Sequence, residues 1–427
     1  MNDTASGLQQ TFPSVRRGSG NRPALREKPL RYLCVDCGYE EPQGIRSFCS
    51  LCRGMMDVDY ALENVRLYDS DNPLERYFDL LPLEDPANLL PVDMDRTPCV
   101  HATTLGRRFG MPSLYFKDES WLPTRSTKDR MAAVVLSLMK ECGVDEFGVS
   151  STGNSSTALA YLVQCFEDFR LKIFTGESFV SRVQHTASDR IQHFSLLGGS
   201  FVDAAQCALQ FAKERGLQPE RGFFNPARRE GLKLAALEAF EQLPQGVDYY
   251  VQAVSSAMGV YGVYRGAQQF LQMGKIAKVP SMICVQQQSC QPMVSAYEAG
   301  SETIRQEDIV PQPEGIASAI LRGDPSRAYP YIRSIVIETQ GEFVSVSDSE
   351  IREARFLMED EEGLSPCFTA AAAFAGLVKL SERNRLDREA TILVNLTGGD
   401  RRPDATEPGI TQIRRRSSGS GWEIPDV

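Results

Sequence analysis

The stretch LYFKDESWLPTRSTKDR, Leu114–Arg130, joins a short β-rich run to the start of an amphipathic helix. Its first four residues are typical of a buried strand. Ser126 and Thr127 are good helix N-cap residues, and the apolar residues that follow recur at helical spacing, which predicts a helix over 127–142. Lys128 therefore stands at a helix N-terminus, where the helix dipole disfavours an ammonium ion.

The placement of Lys128 has two interpretations. A lysine whose ammonium form is disfavoured has a lowered pKa and becomes a nucleophilic amine, and such an amine forms a Schiff base with an aldehyde. The alternative is an ordinary surface lysine in the first turn of a helix. This turn alone does not decide between the two, so the decision depends on the rest of the chain.

Beyond this stretch, short β-rich runs alternate with amphipathic helical runs, a pattern typical of a parallel sheet wrapped by helices. Further buried strands are predicted at 147–150, 171–175, 249–254, 281–286 and 391–396. Ligands bind such sheets where the strands end at their carboxyl edges. The expected fold class is therefore α/β, with a ligand site at strand ends.

Four polar turns lie at or near these inferred strand ends. They are PTRSTKD around Lys128, SSTGNSS at 150–156, SSAMG at 255–259 and TGGD at 397–400. The second and third open helices with small residues, and turns of that form expose backbone N–H groups that bind anions. Together the four turns predict one shared ligand site.

The composition of the whole chain restricts its partners. The 427 residues carry a net charge of −10, so there is no overall positive field for nucleic acid. No apolar run is long enough to span a membrane, and no apolar leader segment is found. The eleven cysteines, an odd number, favour a reducing compartment. We expect a cytoplasmic protein that binds neither nucleic acid nor membranes, while small anions remain compatible.

Both ends of the chain are polar and rich in small or basic residues. Residues 1–30 are predicted to form a disordered arm, and residues 404–427, which contain RRRSSGSG, a flexible solvated tail. Between them, a cysteine-rich segment over 31–60 precedes a long body over 61–403.

The cysteine-rich segment has the spacing of a zinc ribbon. Its motifs CVDC and CSLC place two pairs of thiolates on two turns that can close one tetrahedral site, with no open position. A pair of redox dithiols is the alternative. The predicted ligands of a structural Zn²⁺ are Cys34, Cys37, Cys49 and Cys52.

The body resembles threonine synthase and its relatives, which are fold type II pyridoxal-phosphate (PLP) enzymes. The resemblance rests on LYFKDESWLPTRSTKDR, RTPCV (96–100), SSTGNSSTALA (150–160) and FNPARREGLKLAALEAF (224–240). Within this group YYVQAVSSAMGVYG, CVQQQSCQPMVSAYEAG and ILVNLTGG are most similar to cysteate synthase, which replaces the phosphate of O-phosphoserine with sulfite. The resemblance implies a two-lobed, tryptophan synthase β-like fold with parallel sheets, a smaller lobe of about 112–215 inserted in the larger, and a homodimer.

The resemblance also implies a role for each polar turn. Lys128 is the Schiff-base lysine and proton carrier, and Asn154 binds the 3′-oxygen of PLP. Thr397 lies at the pyridine nitrogen, where a neutral hydroxyl biases the chemistry toward elimination and replacement. The expected ligands of the substrate carboxylate are Ser151, Thr152, Gly153 and Ser155. The expected ligands of the cofactor phosphate are Ser255, Ser256, Ala257, Met258 and Gly259.

Several residues depart from the family pattern. Arg125 stands where relatives have a small residue, and Thr127 where they have Phe. Ala257 and Met258 interrupt a loop that is normally glycine-rich, and packing in the core is the alternative role of Met258. The three histidines show no metal spacing, and we assign them no role.

Arginines are candidates for binding an anionic substrate or leaving group, because the guanidinium group suits bidentate phosphate binding. Arg125 and Arg228 are the predicted substrate-binding arginines, with Arg229 as a further candidate. The alternative for each is a solvated surface arginine.

The resulting hypothesis is a PLP-dependent elimination or replacement on an O-activated amino acid, with an O-phosphorylated, anionic substrate expected. The reaction would pass through a Lys128 Schiff base and an unsaturated intermediate, as in threonine synthase or cysteate synthase. Two alternatives remain: deamination of the threonine or serine dehydratase type, and a non-catalytic binding protein whose working surface is the ribbon.

Overall fold

The computed structural model describes residues 30–401, 409–417 and 421–425. The predicted disordered arm, 1–30, lies outside these ranges except for Leu30. In the described ranges the strands are β1 Leu30–Cys34, β2 Glu40–Glu41, β3 Met56–Tyr60, β4 Cys99–His101, β5 Leu114–Asp118, β6 Glu146–Ser150, β7 Arg170–Gly176, β8 Ile191–Leu196, β9 Gln218–Pro219, β10 Tyr249–Ala253, β11 Ser281–Gln287, β12 Glu342–Val346, β13 Ile392–Leu396 and β14 Ile410–Ile413.

The α-helices of the same ranges are α1 Pro73–Arg76, α2 Thr103–Phe109, α3 Lys128–Glu141, α4 Asn154–Cys165, α5 Phe201–Arg215, α6 Pro226–Gln242, α7 Met258–Gln272, α8 Pro292–Glu298, α9 Tyr329–Glu338, α10 Asp348–Glu362 and α11 Phe368–Glu382. None of the described helices combines the length and apolarity that crossing a bilayer requires.

The larger sheet has six strands in the order β12-β11-β10-β13-β5-β4, and its neighbouring pairs are parallel except for β4 with β5. Alternate residues of its strands enter two separate apolar clusters. Tyr250 and Leu393 belong to one cluster, and Val251 and Val394 to the other. Both faces are therefore covered, which is why β13 is buried at all five positions and apolar at all of them except Asn395.

The smaller sheet has the order β14-β8-β7-β6-β9, and all its pairs are parallel. Helix α4 covers one face and α5 the other. The sheets shift the predicted lobe boundaries of 112–215. Strand β5 belongs to the larger sheet, and β9, at Gln218–Pro219, extends the smaller one beyond residue 215.

The predicted flexible tail, 404–427, contains a strand in its described part. Strand β14 pairs with β8, and Ile413 lies opposite Leu196. Ile413 and Trp422 are buried beside Phe194 in a small apolar cluster. Because the segment is basic overall, its composition did not indicate the two apolar side chains, Ile413 and Trp422, whose burial fixes it to the sheet.

The ribbon predicted over 31–60 forms an antiparallel sheet in the order β2-β1-β3. Buried polar contacts attach it to the body. The Tyr60 hydroxyl donates to Glu230 of α6, and the Tyr261 hydroxyl of α7 donates to Asp57 at 2.8 Å. Arg265 forms an ion pair with the same Asp57 at 3.1 Å. The ribbon is therefore packed directly against α6 and α7.

Candidate active site

The loop between β5 and α3 is held by the loop that follows β13. Ser126 forms an isolated bridge with Gly398, and the Thr127 N–H donates to the Thr397 carbonyl at 3.0 Å. Helix α3 begins at Lys128, so the predicted lysine at a helix N-terminus is confirmed. Thr127 occupies the N-cap position without a side-chain cap, and the Ser126 hydroxyl instead accepts the Lys128 N–H at 3.3 Å.

The ammonium form of Lys128 is disfavoured in this position. Burial, and after it the positive charge of Arg228, lowers the Lys128 pKa to about 8. The sequence predicted this direction from the helix dipole, whereas the main cause in the folded protein is the loss of hydration. About a tenth of the side chains are therefore neutral amines at pH 7, far more than for an ordinary lysine.

A cavity of about 390 Å³ gathers the predicted polar turns. It lies at the carboxyl ends of β5, β6, β10 and β13, and thus between the two parallel sheets. The predicted site residues that line it are Lys128, Ser151, Thr152, Asn154, Ser155, Arg228, Ser255, Ser256, Ala257, Met258, Gly259 and Thr397.

The turn after β10 presents backbone donors to this cavity. Ala257 has a left-handed φ of 57° and caps α7, which begins at Met258. Within the described chain, none of the N–H groups from Ser255 to Val260 donates to another group. Such donors at a helix N-terminus form an anion site. Met258 lines the cavity and also packs against the core, so its packing role is observed and its role at the cofactor phosphate stays a prediction.

The turn after β6 is held by its own serine. The Ser151 hydroxyl accepts the N–H groups of Gly153 and Ser156, both at 3.1 Å. Gly153 has a φ of 131°, and a Cβ there would lie 2.9 Å from Arg182. Gly153 does not line the cavity, so its evident task is to allow the turn. Asn154 is the first residue of α4, and it also lines the cavity.

Comparison with known proteins identifies the family. The family described as pyridoxal-phosphate dependent enzyme matches residues 92–398. The chain belongs to this family. The threonine synthase of Methanocaldococcus jannaschii is 30% identical over 384 residues, which span 87% of this chain and 93% of that protein. The cysteate synthase of Methanosarcina mazei is 27% identical and spans 86% of this chain and 91% of that protein.

A solved structure shows the same fold. The processed form of threonine deaminase isoform 2 from Solanum lycopersicum superposes with a TM-score of 0.57 at 20% identity, over 72% of this chain and 84% of that one. The two-lobed α/β fold type II expected from the sequence is confirmed, and so is the resemblance to threonine synthase and cysteate synthase. The expected homodimer stays a prediction.

The residues of the cavity fit PLP. Lys128 supplies an amine with a lowered pKa, as an aldehyde partner requires. The unpartnered amides of 255–260 supply donors for a phosphate, although Ala257 and Met258 replace the expected glycines. Thr397 lines the cavity with a neutral hydroxyl. The altered loop therefore keeps the backbone geometry that phosphate binding uses, because that geometry needs no side chain.

The two predicted substrate arginines differ in their placement. Arg228 lines the cavity, donates to the Ser155 hydroxyl at 3.0 Å and forms a buried ion pair with Glu220. Arg125 does not line the cavity, and its guanidinium faces Gly399, where a Cβ would lie 2.6 Å from Nη2. The left-handed φ of 55° at Arg125 accompanies this orientation. Its contact with substrate stays a prediction, since the guanidinium here lies against the loop that follows β13.

The four ribbon cysteines converge as predicted. Their sulfur atoms all lie within 4.8 Å of one another. The closest pairs join different motifs, Cys34 with Cys52 at 3.4 Å and Cys37 with Cys49 at 3.8 Å. Two independent dithiols would instead pair within each motif. The donor set therefore fits a closed, all-thiolate zinc site.

Sequence reasoning missed one wall of the cavity. This wall includes Phe48 from the ribbon, Arg221 before α6, and Arg322 and Arg327 from the segment before α9. None of these residues lies in a strand-end turn of small residues. The available signal was weak: an aromatic residue beside Cys49, and arginines within the Gly- and Pro-containing run LRGDPSR.

Proposed function

We propose that this protein removes an anionic group bound through oxygen to the side chain of an amino acid, and that O-phosphorylated amino acids are its substrates. A nucleophile then adds to the unsaturated side chain that this elimination leaves. The threonine synthase and cysteate synthase relatives support an amino-acid substrate. The observation that carries the proposal is that the Lys128 amine shares one cavity with the unpartnered amides of 255–260 and with several arginines.

Lys128 is the proposed proton carrier. PLP, when bound, supplies an electron sink that makes the Cα proton of an attached amino acid acidic. With a pKa of about 8, the Lys128 amine is matched to accepting that proton and returning one near neutral pH. Lys128 lies in the cavity wall, where the loop after β5 meets the turn after β13. Its amine is therefore held beside both of these segments.

The turn after β6 is the proposed site of the substrate carboxylate. Ser155 accepts a hydrogen bond from Arg228 at 3.0 Å, so its own hydroxyl proton is directed elsewhere. Ser155 and Thr152 both line the cavity at the start of α4, where the helix dipole favours an anion. Arg228 adds positive charge on the same side, and Asn154 remains the proposed partner of the cofactor oxygen.

The test is the fate of matched substrates. Purified holoenzyme is incubated with O-phospho-L-serine, O-phospho-L-homoserine and their O-acetyl counterparts, each with and without sulfite. Released phosphate and the organic product are measured. We expect phosphate release from one phosphorylated substrate and much slower turnover of its acetyl counterpart, because a neutral group gains nothing from the arginines.

The other outcomes separate the alternatives. A keto acid formed at the same rate with and without added nucleophile would replace the proposal with deamination. Failure of every substrate to react or to change the absorbance of bound PLP would overturn the proposal and favour a binding protein.

A further inference from the structure

Phe48 brings the zinc ribbon into the cavity. It lies beside Cys49 in the second cysteine motif and forms an isolated bridge with Met55. Its ring is 4.9 Å from that of Phe224, which stands just before α6, and it lines the same cavity as Lys128. A residue of the ribbon, outside the residues 92–398 that match the family, therefore forms part of this cavity.

Three guanidinium groups surround the Phe48 ring. The guanidinium carbon of Arg327 lies 4.2 Å from the ring centroid, that of Arg53 5.8 Å and that of Arg221 5.9 Å. Arg327 also lies 4.8 Å from the centroid of Phe224. Aromatic faces hold guanidinium groups in place while leaving their N–H donors available.

These three positive charges are not compensated. In the described part of the chain, Arg53, Arg221 and Arg327 form no salt bridge and donate no side-chain hydrogen bond to protein. Two acids line the same cavity, and both are engaged: Glu220 pairs with Arg228, and Asp324 accepts the Ser326 N–H at 3.0 Å. Burial, followed by the charges of Arg327 and Arg53, lowers the Arg221 pKa, a sign of repulsion among the three.

Of these three arginines, Arg221 and Arg327 line the cavity, and Arg322 is a further arginine in its lining. Arg322 is partly buried, lies 5.6 Å from the centroid of Phe201 and donates only to the Asp324 carbonyl, at 3.2 Å. Arginines held together without carboxylate partners form a site for an anion, since an anion removes their mutual repulsion and accepts several charge-assisted hydrogen bonds.

We propose that Phe48, Arg53, Arg221 and Arg327 form an oxyanion-binding subsite at the solvent side of the cavity, so that the ribbon takes part in reactant recognition. The ligand is a small oxyanion of the phosphate or sulfite class. It is either a group carried by the amino-acid substrate or a free anion that enters or leaves during replacement. The second half of this inference rests on the proposed function, whereas the binding of an oxyanion does not.

Calorimetry of inorganic phosphate and of sulfite with PLP-loaded protein tests the subsite without turnover. Arg327→Gln and Arg221→Gln should each weaken binding by roughly tenfold or more, as expected for a lost charge-assisted contact. Phe48→Leu should weaken binding by only a few-fold, because the charges remain while their platform is lost. Arg327→Lys should restore part of the affinity.

Arg46→Gln is the matched control. Arg46 belongs to the same ribbon, is exposed and faces Glu41 rather than the cavity, so its variant should bind as the wild type does. Zinc content and melting temperature are measured for every variant to confirm the fold. The proposal would be overturned if Arg327→Gln and Arg221→Gln each bound phosphate as tightly as the wild type does, and sulfite as tightly as the wild type does.

Kinetics distinguish the source of the oxyanion. If the subsite holds a substrate group, Arg327→Gln raises KM for the phosphorylated amino acid and leaves kcat nearly unchanged. If it holds a free anion, the variant raises KM for sulfite or weakens inhibition by phosphate instead. Arginine-dependent phosphate binding in a protein that turns over none of these substrates would sustain the subsite and reject the proposed function.

Discussion

The two walls of the cavity draw their residues from the chain in different ways. The wall formed by the turns after β5, β6, β10 and β13 follows from local sequence, because each turn joins a strand end to small or polar residues. The opposite wall, with Phe48, Arg221, Arg322 and Arg327, is assembled from segments far apart in the chain. The first wall carries Lys128 and the unpartnered backbone amides, and the second carries the arginines for which we propose a role in binding an oxyanion.

The largest effect is expected on the first wall, at Lys128. Lys128→Ala should reduce turnover by about 10³-fold or more, since it removes both the amine that holds the cofactor and the proton carrier. After borohydride reduction of wild-type holoenzyme, peptide mapping should find the cofactor on Lys128. Lys140→Ala, at the other end of α3, is the control and should keep full activity. Cofactor fixed mainly to another lysine would contradict the assignment.

A smaller effect is expected on the second wall when the metal is lost. We expect one zinc per chain, and Cys49→Ser should lose it. Phe48 and Arg53 flank this ligand, and the Arg53 N–H donates to the Cys49 carbonyl at 3.1 Å. Loss of the metal should therefore weaken phosphate binding several-fold and lower the melting temperature.

Cys142→Ser is the matched control for the metal, because Cys142 is exposed and lies outside the cluster. It should keep zinc and phosphate affinity at wild-type levels. If Cys49→Ser loses zinc yet binds phosphate as tightly as before, the ribbon would be a support that does not shape the second wall.

The contrast between local sequence patterns and contacts of distant segments also explains which parts of the fold could be predicted. Strands such as β10 and β13 are mainly apolar runs, each with one amide residue, that precede polar turns, so their pattern identified them. Strand β14 was missed because its buried anchors, Ile413 and Trp422, stand alone in a basic segment. Burial by a distant strand leaves no periodic signal in so short a run.

Prediction of the site had a similar limit. The small residues of the turn at 255–259 indicate the start of a helix, whatever that helix packs against. The direction of a long side chain carries no such signal: Arg125 stands three residues from Lys128 but turns to Gly399, whereas Arg327, two hundred residues away, reaches the cavity. The family motif therefore placed the backbone of the lysine loop, whereas the direction of Arg125, which departs from that motif, could not be read from the sequence.

The protonation of Lys128 tests whether the charge of Arg228, which also lines the cavity, acts on the amine. Capture of PLP by the apoprotein requires the neutral amine, so its rate should rise with pH through about 8, the Lys128 pKa. Arg228→Gln removes a positive charge that lowers this pKa, so the midpoint should move to higher pH and capture at pH 7 should slow. Arg125→Gln should leave the midpoint unchanged, because Arg125 lies outside the cavity. A midpoint near 10 in the wild type would contradict the burial of this amine.

The smallest expected effect concerns Ala257, the residue that departs from the glycine-rich phosphate loop. Its φ of 57° disfavours any residue with a Cβ by about 1 kcal/mol, and glycine relieves that cost. Ala257→Gly should therefore raise the free energy of unfolding by up to about 1 kcal/mol, as measured by urea denaturation of the apoprotein. Gln340→Gly, at a φ of 52° in a distant loop, should produce a similar gain. PLP affinity is the discriminating measurement. If backbone amides alone hold the phosphate, Ala257→Gly leaves the dissociation constant of PLP within about threefold of wild type, because the donors are unchanged. A tenfold loss would mean that the Ala257 methyl group itself orders the turn, and that this chain has replaced a flexible glycine loop with a more rigid one.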